Sequence, residues 1–379
     1  MTESVSHQRL RDRLVALTRD LILLPSTESN PTAIRQCYEF VRNHLEGFEG
    51  VEIHDHENEG VPSLVALPTG NTAPDVLMVA HLDVVDHPDP AAYRSTIADG
   101  RIVGSGAGDM KGALAILMVL FRRFHRANPG ISLGLVVTTD EETGGAHGVR
   151  YLIDEVGLRC GCALIPDGGS PDEITIEEKG ILHLQLIAPG LPAHAARPWL
   201  GDNPIPHLTA ALDRLANAFD ELKSESDDYW HPTCTVTGIG TENGAFNRLA
   251  AEAHATLDIR FPPPHTSAEL IALVRDVAGD RIQANTIIAA EATHLSPDPK
   301  FADITETITG RQPRLSRESG GSDARFLHPH GIPVLMSRPA VGNLHAPDEW
   351  IDIESMVEYY RVCEAYLAQR FEVNRPPEP

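Results

Sequence analysis

The chain has 379 residues, with 31 lysines and arginines against 54 aspartates and glutamates, for a formal net charge of −23. So acidic a surface argues against a nucleic-acid or anionic-membrane partner, and the length suits two domains or one with a large insertion. Five cysteines (Cys37, Cys160, Cys162, Cys234 and Cys363), odd in number and without a CxxC pair, argue against a disulfide framework and a thiolate zinc site.

Leu10, Leu14, Leu17, Leu21 and Leu24 recur at helical spacing, and Pro25 ends the run. The N-terminus lacks the basic region, apolar core and cleavage site of a secretion signal, and no stretch reaches the roughly 18 apolar residues of a membrane span. A soluble cytoplasmic protein is expected. "SLVAL" (63–67) and "DVLMVAHLDVV" (75–85) read as buried strands, and "GALAILMVLFRRFHRA" (112–127) as a buried helix ending in basic residues. "LGLVVTTD" (133–140) reads as a strand, "GVRYLIDEVG" (148–157) as a helix and "CALIPDG" (162–168) as a short strand. That alternation predicts an α/β layer with a mostly parallel sheet.

After Lys179 the texture changes: "ILHLQLIAPG" (181–190) alternates, as expected of a sheet with one solvated face. A helix over 205–222, strands over 234–240 and 251–261 and a helix over 267–279 complete a small inserted α+β domain. From about residue 294 the α/β texture returns, with a strand over 332–337 and a terminal helix over 353–372. The expected domains are 1–178 with 294–379, and 179–293; "RPPEP" (375–379) reads as a frayed tail.

In an α/β sheet, function gathers just beyond the carboxyl ends of the strands. His81 and Asp83 follow "VLMVA"; Asp140, Glu141 and Glu142 follow "LGLVV"; Asp167 follows "CALIP". Asp109 lies in the "GSGAGDMKG" bend that opens the apolar helix, and His345 in the late loop "GNLHAPDE". Imidazoles and carboxylates converging from several segments suit zinc, cobalt or manganese far better than magnesium. Singly, each residue has an ordinary reading: a histidine ending a strand, Asp109 as a helix cap, Asp167 as a turn residue, 140–142 as a solvated acidic loop. Their joint occurrence favours a metal centre.

"AHLDVV", "GSGAGDMKG", "TTDEETGG", "IPDGG" and "NLHAPDE" resemble, in order and spacing, the motifs of the M20 metallopeptidase family. The resemblance extends to "GLPAHAARPWLGDNPI" (190–205) and "GGSDARF" (320–326). It implies a mostly parallel-sheet di-metal catalytic domain with an inserted α+β lid and dimerisation domain. It also implies two divalent ions, zinc in first place with cobalt or manganese as alternatives. His81 and Asp167 would hold one ion, Glu142 and His345 the other, with Asp109 bridging. Glu141 matches the family's general base, Asp83 the carboxylate that orients His81, and His194 the histidine that reaches the neighbouring subunit's site in dimeric members. Asn247, Arg260 and Arg325 become candidate substrate-binding residues, since guanidinium offers a planar two-pronged fit to carboxylate and Arg325 stands at an expected helix start. Lys179 aligns with a basic residue of the desuccinylases.

The implied reaction is hydrolysis of an amide or peptide bond in an N-acyl amino acid or short peptide, by metal-activated water with Glu141 as base. The expected partners are a small substrate with a free carboxylate and a second copy of the chain. Two departures leave the substrate open. Asn247 sits in "NGAFNRLA", where the family often has Asn-Val-Ile-Pro. Asp167 is the residue of the aminopeptidase and dipeptidase branches, whereas deacylases and carboxypeptidases usually carry Glu there; yet "HAARPWLGDNP" and "SDARF" look like the desuccinylase side. Three rival readings are weaker. A serine hydrolase using Ser322 lacks G-x-S-x-G and a buried strand before it. Lys111 precedes Gly112, so "GSGAGDMKG" is no phosphate loop. A catalytically silent metal-binding protein would have no need of Glu141.

Overall fold

A computed structural model describes residues 2–223 and 229–374, with side chains from residue 6 onward; the expected tail at 375–379 lies outside the described residues. The chain divides into two compact units, Met1–Ile176 with Leu295–Arg317 and Ser322–Pro379, and Glu177–His294 with Glu318–Gly321. The short segment Glu318–Gly321 joins the second unit, where the Lys179 N–H donates to the Glu318 carbonyl at 3.0 Å.

The first unit is built on a six-stranded sheet in the order Val51–Asn58, Val61–Pro68, Leu133–Thr138, Val76–His81, Cys162–Leu164, Val334–Leu335. The first two pairings are antiparallel and the last three parallel. Strands Val76–His81 and Leu133–Thr138 are buried along their whole length, as strands covered on both faces must be. Alternate residues point to opposite faces. Met78 and Ala80 pack with the helices Thr2–Ile22, Gly112–Ala127 and Ile353–Arg370, through Leu21, Leu117, Phe121 and Tyr360. Leu77 and Val79 face Leu152 and Leu327 of the helices Val149–Asp154 and Ala324–Leu327. The helix Gly112–Ala127 can start so abruptly because Gly112 has no Cβ; one there would sit 2.5 Å from the Ala107 carbonyl.

A second, antiparallel sheet joins Val341–Gly342, Trp350–Asp352, Arg101–Val103 and Thr96–Ala98. It ties the segment leading to Asp109 to the segment following His345, although about 250 positions separate them in the chain.

The second unit is a four-stranded antiparallel sheet, Thr233–Gly240, Glu252–Phe261, Gly180–Pro189, Gln283–Ala290, with helices Pro204–Asp220 and Ser267–Ala278. Leu182, Leu184 and Leu186 point to one face and pack with Leu215, Phe219 and Val274 of the helices, which accounts for the alternation in that strand. A capping box closes the start of the second helix: Thr266 accepts from the Glu269 N–H, and Glu269 accepts from the Thr266 N–H. Among the described residues, no helix is long and apolar enough to cross a membrane.

Candidate active site

The strand expected to run to residue 85 ends at His81: the Leu82 N–H makes the last bond to the neighbouring strand, at Thr138, and the Val84 N–H turns away to the Ser26 carbonyl. That turn folds Asp83 back on His81. The ring Nδ1 donates to the Asp83 carbonyl at 3.0 Å and lies 3.5 Å from the Asp83 carboxylate, while Nε2 lies 3.1 Å from Asp109 Oδ1. An imidazole whose Nδ1 proton is spent on the backbone presents Nε2 outward, the arrangement a metal ligand requires.

Asp109 is presented by a loop that glycine makes possible. Gly106 has φ +80°, and a Cβ there would lie 2.6 Å from Val84. The loop's own N–H groups are held by one side chain. Glu349, buried, accepts from Gly108 at 2.6 Å and Asp109 at 2.8 Å through Oε1, and from Gly106 at 3.0 Å through Oε2. Lys111, fully buried, donates through Nζ to the Leu24 carbonyl at 2.7 Å. The Asp109 carboxylate thereby sits between two imidazoles, His81 Nε2 at 3.1 Å and His345 Nε2 at 3.3 Å. His345 also lies 3.2 Å from Glu142 Oε2 and adopts φ +61°, a left-handed conformation uncommon for any residue but glycine.

The acidic trio divides its labour. Asp140 Oδ2 accepts from the His147 and Gly148 N–H groups at 2.8 and 3.0 Å, so this carboxylate braces the loop. The Glu142 N–H donates to Asp83 Oδ2 at 2.9 Å, and its side chain meets His345. Glu141, in the same single turn, has a carboxylate with no hydrogen bond among the described residues.

Two sets of ligand atoms each cluster within 4.8 Å, His81 with Asp109 and Glu142, and His81 with Glu141 and Asp167. Burial raises the pKa of Glu141 well above the usual carboxylate range, with Asp167, Asp323 and Asp109 reinforcing it and His81 opposing. Asp167 is raised in the same way by burial and by Asp109. For Asp109 burial acts upward too, but hydrogen bonds from His345 and His81 outweigh it and hold the carboxyl well below its usual range. The hydrogen bonds that His345 makes to Asp109 and Glu142 push its pKa up to about 10. The cluster therefore carries more carboxylate than its imidazoles can neutralise, and Oδ1 of buried Asp83 has no hydrogen-bond partner among the described residues. Imidazole nitrogens and carboxylate oxygens of this number and spacing fit two divalent cations of the zinc, cobalt or manganese kind.

His194, Asn247 and Arg260 belong to the second unit. His194 is exposed and its Nδ1 accepts from the Ala196 N–H at 3.1 Å; Asn247, also exposed, accepts through its backbone carbonyl from Ala195. Arg260 is paired with Asp258 through two contacts of 2.7 and 3.1 Å. Lys179 donates to the Tyr229 and His231 carbonyls and stands over the Trp230 ring. Arg325, in the first unit, lies over the Phe326 ring. Ser322 is buried, and its Oγ accepts from the Ala324 N–H at 3.1 Å, so the hydroxyl serves a helix start, with no histidine bonded to it among the described residues. "RLSRE" does form a strand, Arg314–Glu318, but a largely exposed one, so no buried strand leads to Ser322.

Sequence reasoning missed three residues. Glu349 clamps the Asp109 loop. Asp323 is buried and pushed up to about 7 by burial, with Arg325 and His81 opposing and Asp140 and Asp83 reinforcing. Arg338 is close enough for its charge to act on both Asp109 and Asp167. Glu349 and Asp323 carried a signal, since Glu349 ends the motif "NLHAPDE" and Asp323 stands within "GGSDARF"; Arg338 carried none.

Paired imidazoles and surplus carboxylates at the carboxyl end of a largely parallel sheet define a metal-dependent hydrolase. The family is shown directly: peptidase family M20/M25/M40 matches residues 77–369, and the chain belongs to it. It is a metal-dependent enzyme that cleaves amide bonds in small amino-acid conjugates. The chain is similar to the succinyl-diaminopimelate desuccinylase of Rhodospirillum centenum, 32% identical with 94% of this chain and 97% of that protein covered. It is likewise similar to that of Paracoccus denitrificans, 31% identical with 85% and 91% covered. In fold it matches an M20 family metallo-carboxypeptidase from Sulfolobus solfataricus, with a TM-score of 0.77, 19% identity, and 95% and 99% of the two chains covered. Human carnosine dipeptidase 1 matches with a TM-score of 0.76, 15% identity, and 98% and 99% covered.

Proposed function

We propose that the enzyme is an N-acyl amino acid deacylase, with Glu141 as its general base and N-succinyl conjugates of amino acids as its first candidate substrates. The observation that carries this reading is the contrast between adjacent glutamates: Glu142 is engaged with His345, while the Glu141 carboxylate is uncommitted beside His81 and Asp167. His81 and Asp167 would hold one cation, Glu142 and His345 the other, and Asp109 both. Two such cations, zinc in first place, supply Lewis acidity toward the amide carbonyl and toward water.

The chain's own residues do the rest. Glu141, its proton affinity raised by burial, takes the proton from the attacking water and delivers it to the nitrogen of the broken amide bond. Asp83 and its carbonyl keep the His81 ring in one orientation. Glu349 keeps Asp109 in place. His194 supplies a donor toward the developing oxyanion, from the neighbouring subunit of a homodimer in which the second unit serves as lid and dimerisation domain. Asn247, Arg260 and Arg325 bind substrate, and the enzyme works in the cytoplasm.

Dipeptide hydrolysis is a second reading, favoured by one residue, since Asp rather than Glu stands at position 167. The deciding experiment is hydrolysis of N-succinyl amino acids, N-acetyl amino acids and dipeptides by protein stripped of metal and reloaded with zinc, cobalt or manganese. The reading expects activity only after reloading and a preference for N-succinyl substrates. Faster cleavage of dipeptides would move the enzyme to the peptidase side. Full activity in metal-free protein would overturn the reading altogether.

A further inference from the structure

Beside the candidate centre, and within the first unit, lies a cavity of about 720 Å³ lined by Gly169, Ser170, Arg311, Arg338, Leu344 and Glu358, among others. That volume is in the range of small-molecule sites. Most of its charges are spent. Arg311 pairs with Asp172 and Glu358. Glu354 pairs with Arg11 and His7, and Asp352 caps the terminal helix through the Ser355 N–H. Arg338 is different. It is partly buried, and among the described residues it has no carboxylate within ion-pair distance; its one hydrogen bond runs from Nε to the Gly169 carbonyl at 3.3 Å.

That single bond has a geometric consequence. Guanidinium is planar, so anchoring Nε fixes the plane and leaves the edge formed by the two terminal nitrogens free, the edge that grips a carboxylate two-pronged. The anchor is itself held. Ser337 Oγ donates to the Ser170 carbonyl at 2.9 Å, and the Thr175 N–H donates to the Met336 carbonyl at 2.9 Å. Residues 336–338 are thus fastened to the loop that follows Asp167, and the chain continues from them to His345. Arg338 shares its cavity with Gly169, two positions after Asp167, and with Leu344, the neighbour of His345.

Resting on the reading that this site cleaves amino-acid conjugates, we propose that Arg338 forms a carboxylate subsite, gripping a carboxylate of the substrate whose amide is to be cut. Partly buried arginine left without an anionic partner is costly unless something supplies one, and every N-acyl amino acid or dipeptide carries at least one carboxylate near its scissile bond.

The test uses metal-loaded full-length enzyme and matched substrates: a dipeptide against its C-terminal amide, and an N-succinyl against an N-acetyl amino acid. In Arg338→Ala, the preference for the carboxylate-bearing member of one pair should fall by about 10- to 100-fold, the worth of a charged two-pronged contact, chiefly through KM. Arg338→Lys should restore part of it. The pair that collapses tells whether the α-carboxylate or the acyl carboxylate is held. Both preferences unchanged in either variant, with thermal unfolding as in the wild type, would overturn the proposal. If Arg338→Ala fails to fold, Arg338→Lys decides alone: a weakened preference supports the subsite, an intact one overturns it. A wild-type enzyme that cleaves none of these substrates would overturn the deacylase reading and this subsite with it, whereas cleavage without carboxylate preference would overturn the subsite only.

Discussion

Replacing Glu349 by alanine should loosen the loop that presents Asp109 and weaken metal binding without touching any proposed ligand. In the folded protein, one buried carboxylate satisfies the Gly106, Gly108 and Asp109 N–H groups at 3.0, 2.6 and 2.8 Å. Alanine leaves three buried donors without an acceptor, at about 1–3 kcal/mol each. Against this stands the relief of no longer burying a charge, which is several kcal/mol. The net destabilisation should be about 2–4 kcal/mol. Glu349→Gln keeps the shape but turns one oxygen into a donor facing a donor, so it should cost less than alanine, about 1–2 kcal/mol. Urea unfolding gives the stability, and titration of metal-stripped protein with zinc gives the affinity. If both variants unfold and bind zinc as the wild type does, to within about 0.5 kcal/mol, the clamp is not what positions Asp109.

The dimer proposal predicts complementation: inactive Glu141→Ala and inactive His194→Ala, mixed under subunit exchange, should regain part of the activity. Exchange confirmed by mass with no recovered activity would place His194 outside the neighbouring site. At His44, burial, helped by Arg122 and Arg13, lowers the pKa from 6.5 to about 4. The unfolded chain then takes up the proton first, so stability is lost as pH falls from about 6.5 toward 4, with a ceiling near 3 kcal/mol reduced to about 1–2 for this partly exposed ring. Urea unfolding at about pH 7.5 and about pH 5 should therefore show a smaller pH effect in His44→Asn than in the wild type; equal pH effects would contradict the burial argument.

What could be read from the sequence was local. The helix over 112–127 has the same bounds in the structure, because Gly112 admits its tight entry and Asn128 ends it. The helix Pro31–Leu45 escaped notice, although Asn30 before Pro31 is a cap and Cys37, Tyr38, Val41 and Leu45 form its buried face. The hairpin strand Val51–Asn58 gives no apolar run, and the edge strand Gln283–Ala290 is half polar in sequence and largely exposed, so neither stands out. In the candidate site, the imidazoles and carboxylates stood in recognisable motifs at strand ends, and the structure brings His81, Asp109, Glu141, Glu142, Asp167 and His345 together. Arg338 stood in no motif, and Glu349, although it ends "NLHAPDE", showed nothing there of what it holds. Each acts through the backbone of a distant segment, Glu349 on Gly106–Asp109 and Arg338 on Gly169, and no local pattern records such a contact.

The central claim is that Glu141 moves the proton while Glu142 and its neighbours hold the cations. Glu141→Ala, assayed beside elemental analysis of the purified protein, tests it most directly. The account predicts turnover lowered by roughly 10²–10⁴-fold or more with metal content equal to that of the wild type. Loss of metal in step with activity would contradict it and give Glu141 the role of a ligand.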